Sequence, residues 1–482
     1  MGGVEKVLFN SIQYAIFLPV VFAVYWLLPH KFRWPLLLAA SYYFYMSWNP
    51  KYVVLILFTT VVSYAAALLI ERCQTKRRKR AVLTLALIVC LGVLFVFKYF
   101  NFFFAALESA FRLLAIPVHP ITLQLILPVG ISFYTFQTLS YVVDVYRGGA
   151  AERNFGVYAT FVSFFPQLVA GPIERSENLL PQIRARHIFD YDQAMLGAKL
   201  IVVGLFKKLL IADAAAEYVD RVFANVYSYT GFPLVLAAFF FALQIYGDFS
   251  GYSDIAIGTA KLFGIDLMTN FRSPYFSASV KEFWSRWHIS LSTWFKDYVY
   301  IPLGGNRCAK PRKYFNLLVT FLASGLWHGA NWTYIAWGAI HGAAQIAEDL
   351  LKGVLKPLRE NKIGHWVAVF LVFVFCNVTW IFFRAASIQD ALYVLKNMLC
   401  GISHPAGYFL ADGGRGIQKL GLYLLRLLPL AIFDFFNQDG NAIEKIGRWN
   451  RAAQWALYVV AGLAILFLSQ KGMAAEFVYF QF

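Results

Sequence analysis

Apolar runs dominate the chain and recur from one end to the other. The first runs from Ile12 to Leu28. Others follow at about 34–48, 50–71, 81–104, 121–145, 156–173, 194–212, 231–263, 314–327, 332–349, 364–385, 417–436 and 453–470. A helix that crosses a bilayer needs about 20 apolar residues, and several of these runs fall short. The pattern therefore predicts an all-α polytopic membrane protein with about ten spans and some re-entrant pieces. The first run continues directly into more membrane-like sequence without a small-residue cleavage site, so it reads as a span and not as a removable leader. Hydrophilic stretches are too short for a second domain, and residues 1–482 read as a single membrane domain.

One stretch has a different period. Over residues 281–300, at about 100° per residue, Trp284, Trp287, Leu291, Trp294, Phe295 and Tyr298 fall on one stripe. Arg286, Ser290, Thr293 and Asp297 fall opposite. Such a pattern predicts one continuous amphipathic helix lying in the plane of the membrane or along a rim. His288 borders the aromatic stripe and so faces protein. A satisfied core histidine and half of a two-histidine site are both consistent with that position.

Composition sharpens the membrane reading. The chain is 60% apolar and 18% aromatic but only 14% charged, against about 25% charged residues in soluble domains. That balance excludes a soluble globular protein, and the aromatic content excludes disorder. Lys and Arg number 43 against 26 Asp and Glu, a net charge of +17. The basic residues gather in short loops between runs, where they mark the cytoplasmic side rather than a nucleic-acid surface. The densest cluster, Arg72 and Lys76 to Arg80, places the N-terminus outside after three spans. The five cysteines show no CxxC or zinc spacing, which disfavours a disulfide framework.

Two further basic clusters, Arg307 to Lys313 and Lys352 to Lys362, bracket residues 314–351. The chain must enter the membrane between them and return to the same side. Tyr314 to Trp327 would reach roughly 21 Å as helix, short of the roughly 30 Å hydrocarbon core. The turn Trp327-His328-Gly329-Ala330-Asn331 would then lie at membrane depth, where broken helix must be buried or line a cavity. Intramembrane ionisable groups are functional candidates by default. The competing reading has Gly325 and Gly329 allowing close packing, with His328 bonded to a neighbour. His341, about 220° further round a continuous helix, reads as structural.

The run 231–263 carries Gln244, Asp248 and Asp254. Its carboxylates must pair with a base or face a wet cavity, and Gly247 and Gly251 allow close helix approach. Lys207 and Lys208 are either a topology signal or an attraction for an anionic donor. Pro128-Val-Gly130 and Gly171-Pro172 mark helix breaks.

Neither a Walker-type phosphate loop, a G-x-S-x-G elbow nor an HExxH pair occurs. The available equipment is imidazole, which as a general base can take the proton of a hydroxyl attacking a thioester. A non-catalytic export pore for a polysaccharide or lipid is the different-class alternative, resting on Asp248 and Asp254.

Arg286-Trp-His288-Ile-Ser-Leu-Ser, Trp294-Phe-Lys-Asp-Tyr-Val-Tyr-Ile-Pro-Leu-Gly-Gly-Asn306 and Gly325-Leu-Trp-His328-Gly329 closely resemble the membrane-bound O-acyltransferase family. Val169-Ala-Gly-Pro-Ile-Glu-Arg175, Tyr246-Gly-Asp-Phe-Ser-Gly-Tyr-Ser-Asp254 and the stretch Val478-Tyr-Phe-Gln-Phe482 resemble its bacterial branch. That branch includes alginate O-acetylation membrane proteins and, less closely, the D-alanyl transfer proteins of teichoic acids. The resemblance implies a ring of ten or eleven tilted helices, with re-entrant and in-plane helices, around a tunnel. It matches His328 to the family's catalytic histidine and His288 to its second active-site position. Trp284, Trp287, Ser292, Asp248, Asp254, Trp327 and Asn331 then read as tunnel- or substrate-lining positions. No bound cofactor or metal is implied, since acetyl-CoA, or another acyl thioester such as an acyl carrier, serves as donor. Implied partners are membrane lipid, an extracytoplasmic serine esterase-like transferase and a polysaccharide acceptor, and the location is the bacterial cytoplasmic (inner) membrane.

Overall fold

The computed structural model describes residues 8–116, 121–401, 416–468 and 477–478. Tyr479 to Phe482, part of the motif noted above, lie outside them. Among the described residues there is no strand, and the chain is helical as the periodicity predicts. It forms two compact units, Met1–Ala198 with Ala256–Met268, and Lys199–Ile255 with Thr269–Phe482.

The first unit opens with α1 (Ile12–Leu27), α2 (Arg33–Met46), α3 (Val53–Arg72) and α4 (Lys76–Leu94). A π turn, Phe95–Tyr99, joins α4 to α5 (Phe100–Leu113). Short polar side chains start these helices by accepting otherwise unpaired amides. Ser11 Oγ takes the Tyr14 N–H at 3.1 Å, and Thr75 Oγ1 takes that of Arg78 at 3.3 Å. The break predicted at Pro128-Val-Gly130 is present: Gly130, at φ +73°, ends an irregular stretch and α6 (Ile131–Tyr146) begins. The run 121–145 is thus helical only in its second part.

The run 156–173 is likewise not a span. It folds as the nine-residue α7 (Phe155–Ser163), followed by turns to Pro172. Its side chains from Val157 to Ile173 are buried in protein. Apolar character there reflects an interior, which hydrophobicity alone does not distinguish from lipid contact. Next come α8 (Ser176–Arg184) and α9 (Tyr191–Phe206).

In the second unit a π turn, Lys207–Ala212, leads to α10 (Asp213–Ala224), and α11 (Phe232–Leu262) belongs to it as far as Ile255. α12 (Val280–Arg286) and α13 (Ile289–Phe295) follow, then α14 (Lys310–His328) and α15 (Trp332–Leu350), which form an antiparallel hairpin. α16 (Lys352–Glu360), α17 (Lys362–Arg384), α18 (Ile388–Asn397) and helices at Gly416–Phe436, Ala442–Gly447 and Arg451–Leu468 complete it.

Among the described residues five helices are long and apolar enough to cross a membrane: Pro50–Arg72, Lys76–Leu113, Phe232–Leu262, Lys362–Arg384 and Arg451–Leu468. Ile12–Leu27 is apolar but shorter. The protein is therefore a multi-pass membrane protein.

α14 is longer than its apolar run. It starts at Lys310, with Pro311 in its first turn where a missing amide costs nothing, and spans 19 residues. Gly325 and Gly338 make the hairpin tight. A Cβ on Gly325 would lie 2.2 Å from the Tyr334 carbonyl oxygen, and one on Gly338 2.3 Å from that of Phe321.

Candidate active site

The predicted continuous helix over 281–300 is broken at its centre. α12 ends at Arg286, and His288 takes φ +43° and ψ +54° before α13 begins. That left-handed conformation interrupts the helical ladder and leaves backbone groups to be paired from elsewhere. The extended stretch from Asn270 to Arg272 supplies them. The Ile289 N–H donates to the Asn270 carbonyl at 2.9 Å, and the Arg272 N–H donates to the Arg286 carbonyl at 2.9 Å. Ser290, expected on a polar face opposite the aromatic stripe, is instead fully buried.

The Asn270 side chain fills the break. Its Oδ1 lies 3.0 Å from His288 Nδ1 and accepts the Ser290 hydroxyl at 2.9 Å and backbone N–H at 3.3 Å. Its Nδ2 donates to Ser253 Oγ at 3.1 Å. Nothing in its sequence neighbourhood marks Asn270, which sits 18 positions from His288.

His328 is the last residue of α14, and both imidazoles are buried. The two ring centroids are 6.4 Å apart. Trp327 joins them, 4.9 Å from the His328 ring and 6.0 Å from the His288 ring. Trp337 and Phe383 each meet His328 at 5.2 Å, edge to face, and Phe249 meets His288 the same way at 4.5 Å. Two imidazoles, one from the break between α12 and α13 and one from the end of α14, thus share an aromatic enclosure. Among the described residues no three His, Cys, Asp or Glu side chains converge as a metal-ligand set.

The other sequence-predicted positions divide. Trp284 and Trp287 are buried one layer out. Trp284 Nε1 donates to His341 Nδ1 at 3.2 Å, and Trp287 packs on Trp380 at 5.0 Å. His341 Nε2 meets Thr379 Oγ1 at 3.1 Å, so both its ring nitrogens are engaged in tying α12, α15 and α17 together. Ser292 Oγ donates to the Trp287 carbonyl at 3.3 Å. Asn331 caps α15, accepting the Thr333 N–H at 3.1 Å and donating to the Ala386 carbonyl at 2.9 Å.

Asp248 and Asp254 have lysine partners. Lys208 Nζ lies 2.6 Å from Asp248 Oδ1 and 2.8 Å from Asp213 Oδ1, and Lys207 Nζ lies 2.8 Å from Asp254 Oδ2. The Val478 N–H donates to Asp248 Oδ2 at 2.6 Å. Lys207 and Lys208 therefore act as buried counter-charges. Their π turn is held close to α11, for a Cβ on Gly247 would stand 2.9 Å from the Lys207 carbonyl oxygen.

Comparison with known proteins decides the family. The sequence profile of the membrane-bound O-acyltransferase family matches residues 152–388, which include both histidines. The peptidoglycan O-acetyltransferase of Helicobacter pylori is 37% identical over 98% of this chain and 97% of its own. The chain belongs to the membrane-bound O-acyltransferase family. This acyltransferase is also 38% identical to the probable alginate O-acetylase AlgI of Pseudomonas putida, over 97% of this chain and 98% of that one. The teichoic acid D-alanyltransferase of Streptococcus thermophilus is 30% identical, over 51% of this chain and 65% of its own.

Proposed function

We propose that this O-acyltransferase moves an acetyl group from cytoplasmic acetyl-CoA across the membrane to a hydroxyl of an extracytoplasmic polysaccharide, directly or through a serine esterase-like partner. The pairing of His328 and His288 within one aromatic enclosure carries the reading. His328 is the general base. It takes the acceptor's hydroxyl proton as the oxygen–acyl bond forms and the carbon–sulfur bond breaks, and the thiolate leaves to be protonated. His288 orients the acceptor or stabilises the oxyanion. The enclosure excludes water, which would otherwise compete as acceptor.

Near full-length similarity to a peptidoglycan and an alginate O-acetylase supports acetyl as the acyl group, a cell-envelope polysaccharide as acceptor and residues 1–482 as one functional domain. A cytoplasmic donor fits an inner-membrane protein whose N-terminus is outside. The test uses purified protein with labelled acetyl-CoA and either glycan strands or uronic acid oligomers. His328→Ala should lose at least about 100-fold in acetyl transfer, the scale of a general base, while keeping the wild-type elution profile. A folded His328→Ala protein with full transfer overturns the proposal, and turnover only with a D-alanyl-loaded carrier would reassign the donor.

A further inference from the structure

The hydrogen bonds around Asn270 contain information about His288 that neither histidine carries alone. A backbone N–H can only donate, so the amide atom facing the Ser290 N–H must be the oxygen Oδ1. The other end, Nδ2, correspondingly donates to Ser253 Oγ. With Oδ1 fixed as an acceptor, the His288 ring atom 3.0 Å away must donate. In neutral imidazole one nitrogen carries the proton and the other the lone pair. Nδ1 therefore carries the proton, and Nε2 presents a lone pair.

We infer that Asn270 is a positioning residue that holds His288 in the Nδ1–H tautomer, so that Nε2 accepts a hydrogen bond from a hydroxyl of the acyl acceptor beside the one that His328 deprotonates. The inference rests on the proposed function and narrows it. An oxyanion needs a donor, which Nε2 in this tautomer is not, whereas a sugar acceptor carries neighbouring hydroxyls that can donate to Nε2 and so aim the reacting one at His328. Of the two roles open to His288, orienting the acceptor remains. Asn270 is well placed to enforce it, because the amide is fully buried and bonded at both ends. Its own backbone carbonyl also pins Ile289, the residue after the histidine.

The experiment compares Asn270→Leu and Asn270→Asp, each with and without His288→Ala. Acetyl transfer from labelled acetyl-CoA is measured to whichever of glycan strands or uronic acid oligomers turns over with the unsubstituted protein. Asn270→Leu removes the acceptor and should lower kcat by about 10- to 100-fold, the scale of losing a hydrogen bond that orients a histidine, with the KM for acetyl-CoA unchanged. Asn270→Asp keeps an oxygen for the Nδ1 proton and should retain most of the rate. In the His288→Ala background, Asn270→Leu should cause no further loss. Histidine 15N spectra should show a protonated Nδ1 and bare Nε2 for His288 in the unsubstituted and Asn270→Asp proteins. An equal loss from Asn270→Leu in both backgrounds, an Asn270→Asp protein that folds but is as slow as Asn270→Leu, or a protonated Nε2 would overturn the inference. A folded His288→Ala protein with undiminished transfer would instead remove the functional reading beneath it.

Discussion

His288 has a backbone conformation that costs a non-glycine residue about 1–3 kcal/mol. Asn270, Ser290 and the aromatic rings around it hold it there. The buried lysines pose a comparable problem at single residues. Lys208 lies between Asp213 and Asp248, so Lys208→Met would leave two buried carboxylates facing each other. Breaking such a group should destabilise the protein by about 3–5 kcal/mol, seen as a lower thermal midpoint in detergent. An unchanged midpoint would show the ion pairs to be dispensable. At this scale the sequence was informative about residue type but not about partners. Imidazole and carboxylate in apolar surroundings were visible as anomalies. Asn270, 18 positions from His288 and in no motif, was not, because its role exists only once the chain has turned back. Lys207 and Lys208 read as topology markers because Asp254 and Asp248, which pair with them, come from 40 and more residues away in the chain.

The helices were legible to the extent that local chemistry sets them. Ser11, Thr75 and Asn331 stand where amides need acceptors, and Gly130 stands where the backbone turns left-handed. The break between α12 and α13 was not legible. Trp284, Trp287 and Leu291 keep helical spacing straight across it, so periodicity reports a helix that tertiary hydrogen bonds interrupt. The α14–α15 hairpin gives a test at this scale. Gly325→Ala must push the two backbones apart and should cost about 1–3 kcal/mol, shifting His328 at the end of α14 and slowing transfer. Gly353→Ala, with open space around it, should stay within about 0.5 kcal/mol of the parent. Equal melting of the two variants would argue against backbone contact as the hairpin's constraint.

Over the whole chain, apolar runs identified a membrane protein, but a run alone does not say whether it spans. A run buried in protein, such as 156–173, has the same composition as one facing lipid. The proposed sidedness rests on the basic clusters and has native reporters, since Cys73 lies beside Lys76 to Arg80 and Cys308 beside Arg307 and Lys310. Both are partly exposed. Single-cysteine variants should react with a membrane-impermeant maleimide only after the membrane is opened, and labelling of Cys73 in intact cells would invert the proposed orientation. The aromatic enclosure has a further consequence, an optical one. Of the chain's 13 tryptophans, Trp327 borders both imidazoles and Trp337 borders His328, with Trp284, Trp287 and Trp380 packed just behind. Their indoles are shielded from water, unlike the exposed Trp332, Trp449 and Trp455. The blue side of the intrinsic emission therefore originates largely where acyl transfer is proposed to occur, and arrival of a substrate can be followed there without attaching a dye.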